Sequence, residues 1–212
     1  MVQNLKSQEE YKYMIKQKKF KICRRLGAQV YEKCQSSKFV ASTAPKGKKG
    51  KTKTLSDFGT QLIDKQRVRV SYGITEKQFR NYVVKASTVK GGKPNEHLFE
   101  SLETRLDNVV YRLGLGNTRQ FARQMVSHGH FVVNGHRVTV PSYRVRVGDI
   151  ITVRAGSRVK GMFTDLPIRL KNYVSPKWLS FDIETMEARV VSLPKEIDSF
   201  LNLSAVLEFY SR

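Results

Sequence analysis

Three observations predict an α+β protein. Between residues 56 and 128 apolar residues recur at helical spacing, behind residues that cap helices well. At Phe131 the pattern changes to short strands around an Asn-Gly turn. The composition is that of a folded chain: 212 residues, 40% apolar and 27% charged. That is enough for one or two small domains with a real core, and too apolar for wholesale disorder.

Taking the elements in order, Ser56 is suited to cap a helix running to about Arg69, with Phe58 and Leu62 on one face. Tyr72-Gly73 breaks it. Thr75 and Gln78 form a capping-box signature for a second helix, whose Phe79, Tyr82, Val83 and Ala86 fall on one stripe. The stretch KGGKP at 90–94 marks a boundary. From Asn95 a further helix is expected, with Leu98, Leu102, Leu106, Val109 and Leu113 in phase until Gly114 and Gly116 stop it. Thr118 restarts a helix to about His128, closed by Gly129, with Arg119 and Arg123 sharing an exposed face. Asn134-Gly135 between FVV and HRV reads as a type I′ hairpin, since both residues accept positive φ. Pro141 interrupts, VGDIITV at 147–153 supplies another strand, and WLSFD and ARVVSL resemble two more. A helix is expected from about Phe200 to Phe209. Residues 1–19 receive no fold assignment.

Charge gives the first functional information. The chain carries 39 Lys+Arg against 18 Asp+Glu, a net +21. Such an excess repels itself and calls for a polyanion, nucleic acid first and a membrane surface second. It is held in two blocks, +18 over residues 11–95 and +9 over 104–172, separated by an acidic −3 at 96–103. The first block is rich in Lys and includes the Gly/Lys segment 47–53. Residues 104–158 contain Arg and no Lys. Arg presents a planar fork to phosphate and stacks on bases, whereas Lys acts as a point charge. The second block therefore reads as shaped nucleic-acid recognition, and the first partly as a counterion arm.

Other classes find little support. No apolar run approaches the ~20 residues that span a bilayer, and neither a secretory signal nor a transit-peptide composition is seen at the start. Cys23 and Cys34 are too few for a disulfide framework, so an intracellular, soluble protein is expected. No phosphate loop, GxSxG elbow or HExxH pair is present.

The string RLDNVVYRLG…TRQFARQMVSHGHFVVNGHRVTVPSYRVRVGDII at 105–151 closely resembles the RNA-binding module of bacterial small-subunit ribosomal protein four. Similarity continues through SDFGTQLIDKQRVRVSYG upstream, and through WLSFD and VLEFYSR downstream. The resemblance implies an α+β fold, a discontinuous helical domain with an inserted module of two helices on a short, mostly antiparallel sheet. Residues 1–55 would form a basic arm, 56–95 the first part of the helical domain, 96–185 the module, and 186–212 a closing segment and helix. By the same resemblance, the protein would be a structural constituent of the small ribosomal subunit that binds the 5′ domain of its RNA early in assembly. It would neighbour proteins five and twelve, contribute to translational accuracy, and reside in the cytoplasm. It would be neither membrane-bound nor a homo-oligomer. A free RNA-binding regulator or translational repressor is the alternative.

Many relatives of that family carry a zinc knuckle, Cys-x2-Cys then Cys-x4-Cys. Here the pattern reads Phe20…Cys23 and Cys34…Phe39. Two thiolates cannot make a four-ligand zinc site. The expectation is no metal and no cofactor, with Phe20 and Phe39 in a small apolar cluster. Arg105-Leu106-Asp107 also matches the tripeptide around the catalytic Asp of pseudouridine synthases. Inside a module helix, Asp107 is expected to balance neighbouring Arg, and no enzyme is expected.

The candidate RNA-binding residues lie in the two blocks. Lys46, Lys48, Lys49, Lys51 and Lys53 make the arm. Lys65, Arg67, Arg69, Lys77 and Arg80 make the helical face of the first block, and Tyr72 either stacks on a base or packs. Arg105, Arg112, Arg119 and Arg123 are candidates for phosphate contact. His128 and His130 are read as loop donors, and Tyr143, Arg144 and Arg146 as an exposed basic loop after Pro141.

Overall fold

The computed structural model describes residues 18–43, 55–171, 173–198 and 200–211. The expectations for Lys46, Lys48, Lys49, Lys51 and Lys53 lie outside the described residues. The chain divides into two units, one formed by the described residues up to Asn95 together with those from Ile197 onward, the other by Glu96–Glu196. The architecture is α+β.

In the first unit, helix α1 (Lys19–Leu26), two 3-10 turns and α2 (Ser37–Thr43) precede the long helices α3 (Asp57–Ser71) and α4 (Glu76–Thr88). Their start signals are those of the sequence. The Ser56 hydroxyl accepts the Gly59 amide at 3.2 Å, and Thr75 accepts that of Gln78 at 3.4 Å. The capping box is one-sided, because the buried Gln78 Oε1 finds no partner among the described residues. The C-terminal helix α11 (Leu203–Ser211) packs on α3 and α4, burying Leu203 and Val206 while Phe209 stacks on Phe58.

The N-terminal cluster holds two pairs at the knuckle positions. Phe20 and Phe39 have ring centroids 5.6 Å apart. Cys23 and Cys34 are both buried and joined in a disulfide, with Cα atoms 6.4 Å apart. It is a single crosslink of 11 residues' separation rather than a framework. A zinc knuckle does not fit this site. Two of its positions are Phe, and among the described residues no three His, Cys, Asp or Glu gather to hold a metal.

The second unit contains a five-stranded antiparallel sheet. Its strands are β1 (Phe131–Val133), β2 (His136–Val138), β3 (Ile150–Val153), β4 (Leu179–Asp182) and β5 (Glu187–Val190), ordered β2-β1-β3-β5-β4. Phe131 faces Val153, Val133 faces Ile151, and Ile151 faces Ala188. All five are buried, so the period-2 alternation sends one face into the core. Because β5 belongs to this sheet, the unit continues to Glu196 rather than closing at 185. Asn134 and Gly135 have φ of 49° and 81°, as the I′ turn requires. Asn134 does more than turn the chain. Its side chain donates to Asp149 at 2.8 Å and accepts the Ile150 amide at 2.9 Å, tying the hairpin to β3.

Helices α6 (Leu106–Arg112) and α7 (Arg119–Ser127) cover the buried face with Leu106, Val109, Val110, Ala122, Met125 and Val126. Between them Gly114 (φ +73°) comes so close to Leu170 that a Cβ would lie 2.6 Å from its Cδ2. Two departures from the sequence expectations stand out. The single helix expected from Asn95 is two, α5 (Pro94–Glu103) and α6, broken at Thr104-Arg105. Between β3 and β4, where no elements were expected, the chain forms three short helices, α8 (Ala155–Arg158), α9 (Gly161–Thr164) and α10 (Leu166–Leu170). They add Phe163, Leu166 and Leu170 to the same core, with Phe163 edge-on to Phe131.

If α8–α10 are part of that core, Phe163→Ala should destabilise the second unit by about 3–5 kcal/mol, the cost of emptying a buried aromatic site. Val159→Ala, at a position 81% exposed, should change stability by less than about 0.5 kcal/mol. Urea unfolding monitored through the single Trp178, buried in this unit, measures both.

Candidate nucleic-acid interface

The break before α6 organises the basic residues of the second unit. Arg105 is extended (φ −68°, ψ 136°), and its own side chain does not cap the helix. Its first amides are met instead by a distant loop. Leu106 donates to the Tyr143 carbonyl at 2.8 Å and Asp107 to that of Pro141 at 3.2 Å, while Val145 donates to Thr104 at 2.9 Å. A helix start needs partners for its free N–H groups, and here the 141–145 segment supplies them. The basic loop is thereby fixed to the beginning of α6.

Two carboxylates hold the arginines around this start. Asp107 accepts Arg105 Nε at 3.0 Å and Nη2 at 2.7 Å, a bidentate pair, and also takes the Asn108 amide at 2.9 Å. Arg123 of α7 approaches the same carboxylate at 3.8 Å. Glu103, at the end of α5, accepts Arg112 through Nε and Nη2, both at 2.9 Å, and the Asn108 side-chain amide at 3.0 Å. Asn108 passes the order on, accepting Arg119 Nε at 2.9 Å, and the Arg119 guanidinium lies over the Tyr111 ring, 4.3 Å from its centroid. Three arginines, from α6, α7 and the residue before α6, thus share two acids, and a fourth, Arg119, is joined to them through Asn108.

Several candidates are presented to solvent. Lys77, Arg80, His128, Tyr143, Arg144 and Arg146 are exposed, and Arg112, Arg119 and Arg123 partly so. Arg144 reaches back to Glu100. Others turn inward. Arg105 is 1% exposed and enclosed with Asp107, so it braces the fold and reaches no phosphate. His130, 4% exposed, shares a hydrogen bond of 2.9 Å with Ser157. Lys65 is buried, held by Glu76 at 2.7 Å and lying over the Phe209 ring. Arg67 donates to the Leu26 carbonyl and to Asp64, Arg69 sits 3.4 Å from Glu76, and Tyr72 is buried. The first block therefore splits. Its α3 basic residues are used within their own unit, and its α4 residues Lys77 and Arg80 face outward.

Glu103 and Asn108 were not among the sequence candidates. The only signal for Glu103 was the acidic run at 96–103, two of whose acids, Glu100 and Glu103, hold Arg144 and Arg112; Asn108 had none. Arg137 was also missed. It is exposed on β2 and donates to the His128 carbonyl at 3.2 Å, its guanidinium packed on Gly129.

Two family models cover most of the chain. Residues 104–151 match the S4 domain, and residues 14–103 match the ribosomal protein S4/S9 N-terminal domain. Small ribosomal subunit protein uS4 of Syntrophomonas wolfei is 44% identical over 200 residues, covering 90% of this chain and 95% of the relative. The protein of the same name from Heliobacterium modesticaldum is 41% identical, with 91% and 96% covered. The chain belongs to the uS4 family.

A uS4 protein is a structural constituent of the small ribosomal subunit and not an enzyme. In this uS4 chain Asp107, despite its Arg-Leu-Asp setting, is spent on Arg105, Arg123 and the start of α6. No helix among the described residues is long and apolar enough to cross a membrane.

Local electrostatics reflect burial. Desolvation opposes ionisation of Glu76, yet hydrogen bonds from Lys65 and Tyr210 and the charges of Lys65 and Arg69 outweigh it, holding the carboxyl below its ordinary value. Burial and the same carboxylate push the Tyr210 phenol well above the usual range. Burial, helped by Lys160, His128, Arg154 and Arg137, lowers the pKa of His130 below its ordinary value.

Arg105→Met in this uS4 chain should cost about 3 kcal/mol by leaving Asp107 short of its partner, against less than about 0.5 kcal/mol for the exposed Lys77→Met. Urea unfolding compares them. As His130 binds its proton less readily folded than unfolded, the unfolded chain takes up more protons near pH 6. Stability of the second unit should therefore be full above about pH 7 and fall as pH drops through about 6.5. His130→Gln should flatten that part of the Trp178-monitored profile.

Proposed function

We propose that this chain is a primary binder of the 5′ domain of small-subunit ribosomal RNA. On this reading it nucleates assembly of the subunit body and, beside ribosomal proteins five and twelve, contributes to translational accuracy in the cytoplasm. The observation that carries the reading is the grouping of Arg112, Arg119 and Arg123 with the 141–146 loop around one helix start. Guanidiniums at fixed positions suit the phosphates of folded RNA, which is recognised by backbone and shape more than by base sequence. Lys77 and Arg80 add a second exposed basic surface on the other unit, His128 adds to the first, and the Lys46–Lys53 stretch neutralises charge diffusely. Residues 1–55 serve as the arm, 56–95 and the C-terminal segment as the helical domain, and the residues from 96 as its inserted module. Family membership supports the same assignment.

Titration against 5′-domain RNA and a scrambled RNA of equal length at ~0.3 M salt tests it. A preference above ~100-fold is expected for a specific binder, since non-specific contacts weaken steeply with salt. Equal affinities would overturn specific recognition. Replacing Arg119 and Arg123 together by Gln should weaken 5′-domain binding by more than ~10-fold and reduce the salt slope by about two units. Unchanged affinity would remove these two residues from the interface.

A further inference from the structure

We propose that Glu103 and Asp107, two acids within a basic RNA-binding surface, are positioning residues that favour RNA binding by fixing the arginines around them. The inference rests on the RNA-binding reading and deepens it. Both carboxylates are buried, at 1% and 4% exposure. Asp107 is shared between Arg105, Arg123 and the Asn108 amide. Glu103 grips Arg112 bidentately and, through Asn108, sets Arg119 against Tyr111.

Stability alone does not account for this arrangement. Buried ion pairs lose in desolvation much of what they gain in attraction, and apolar replacements are often as stable. What they provide is geometry. An Arg side chain has much rotamer entropy to lose when it is immobilised on a partner, and freedom lost at the moment of binding subtracts from affinity. Holding a guanidinium by one edge in the free protein removes that cost in advance and orients the planar fork. Four arginines against two acids leave the cluster positive, so the acids order the surface without cancelling its attraction for phosphate.

The two effects of removing an acid have opposite signs, which makes the test decisive. Asp107→Asn raises the net charge by one from +21, and counterion electrostatics alone predicts equal or tighter RNA binding. Positioning predicts the reverse, at least ~10-fold weaker binding to 5′-domain RNA for Asp107→Asn and for Glu103→Gln, a loss of ~1.4 kcal/mol per tenfold. The full chain would be titrated at ~0.2 M salt, with Trp178 fluorescence confirming that each variant is folded. Weaker binding by folded variants supports the proposal, and equal or tighter binding overturns it. Should both acid variants fail to fold, Tyr111→Leu decides. It keeps an apolar side chain against the core but removes the ring under Arg119, and an affinity within twofold of the parent overturns the proposal. A parent chain that binds 5′-domain and scrambled RNA equally would count against the ribosomal reading, while the sign of the Asp107→Asn effect on either RNA would still settle the positioning role.

Discussion

The second unit depends on the backbone's departure from helix at Thr104-Arg105. Had α5 and α6 been continuous, the amides of Leu106 and Asp107 would have bonded within the helix and the 141–145 segment would have had nothing to hold. The break frees them for the Tyr143 and Pro141 carbonyls, and it lets Thr104 accept Val145. It also turns Arg105 into the interior, where Asp107 meets it with a two-pronged pair. A loop far along the chain, two helices and the end of a third are thereby referred to one point. An unpartnered buried guanidinium would be prohibitively costly, so the pair is a condition of the fold even if it adds little net stability.

Charge of one sign is put to two different uses. On α3, Lys65, Arg67 and Arg69 are absorbed by Glu76, Asp64, a carbonyl and the aromatic rings of α11. Glu76 stays ionised against the cost of burial because these partners surround it. In the second unit acids also meet arginines, but they are outnumbered, and Glu103 and Asp107 lie deeper than the Arg112 and Arg123 they hold. A basic block in a sequence therefore overstates the footprint for RNA wherever its acids are scattered among it, as Asp64 and Glu76 are. It understates the order of the footprint wherever the acids lie at its edge, as Glu103 does.

What the sequence made legible is what short-range chemistry decides. Ser56, Thr75 and Thr118 cap helices through their own hydroxyls, and Asn134-Gly135 turns because those two residues tolerate positive φ. The α5–α6 break was hidden for a physical reason. Leu98, Leu102, Leu106, Val109 and Leu113 keep helical phase across it, so periodicity carries no trace of the interruption. The partner that breaks the helix lies about forty residues away, beyond the reach of any local pattern. The α8–α10 turns were hidden because helices of four or five residues complete little more than one turn, and a period must repeat to be read. Arg105 and Arg119 looked alike in spacing and composition, and only the folded chain separates a guanidinium enclosed with Asp107 from one lying over Tyr111 and partly open to solvent.

The N-terminal cluster joins four positions in two like pairs. Phe20 meets Phe39 and Cys23 meets Cys34, so the four positions of the absent knuckle still pair, aromatic with aromatic and sulfur with sulfur. Zinc gathers four thiolates by coordination and needs all of them. Replacing one cysteine of each pair removes the metal, yet it leaves two positions that can share dispersion contact and two that can share sulfur chemistry. Val30, Tyr31 and Leu26 close around them, with Ile63 and Val70 of α3 on the remaining side. The burial of these apolar groups does locally what a metal would otherwise do, holding α1, the 3-10 turns and α2 against α3 without any ligand beyond the chain itself.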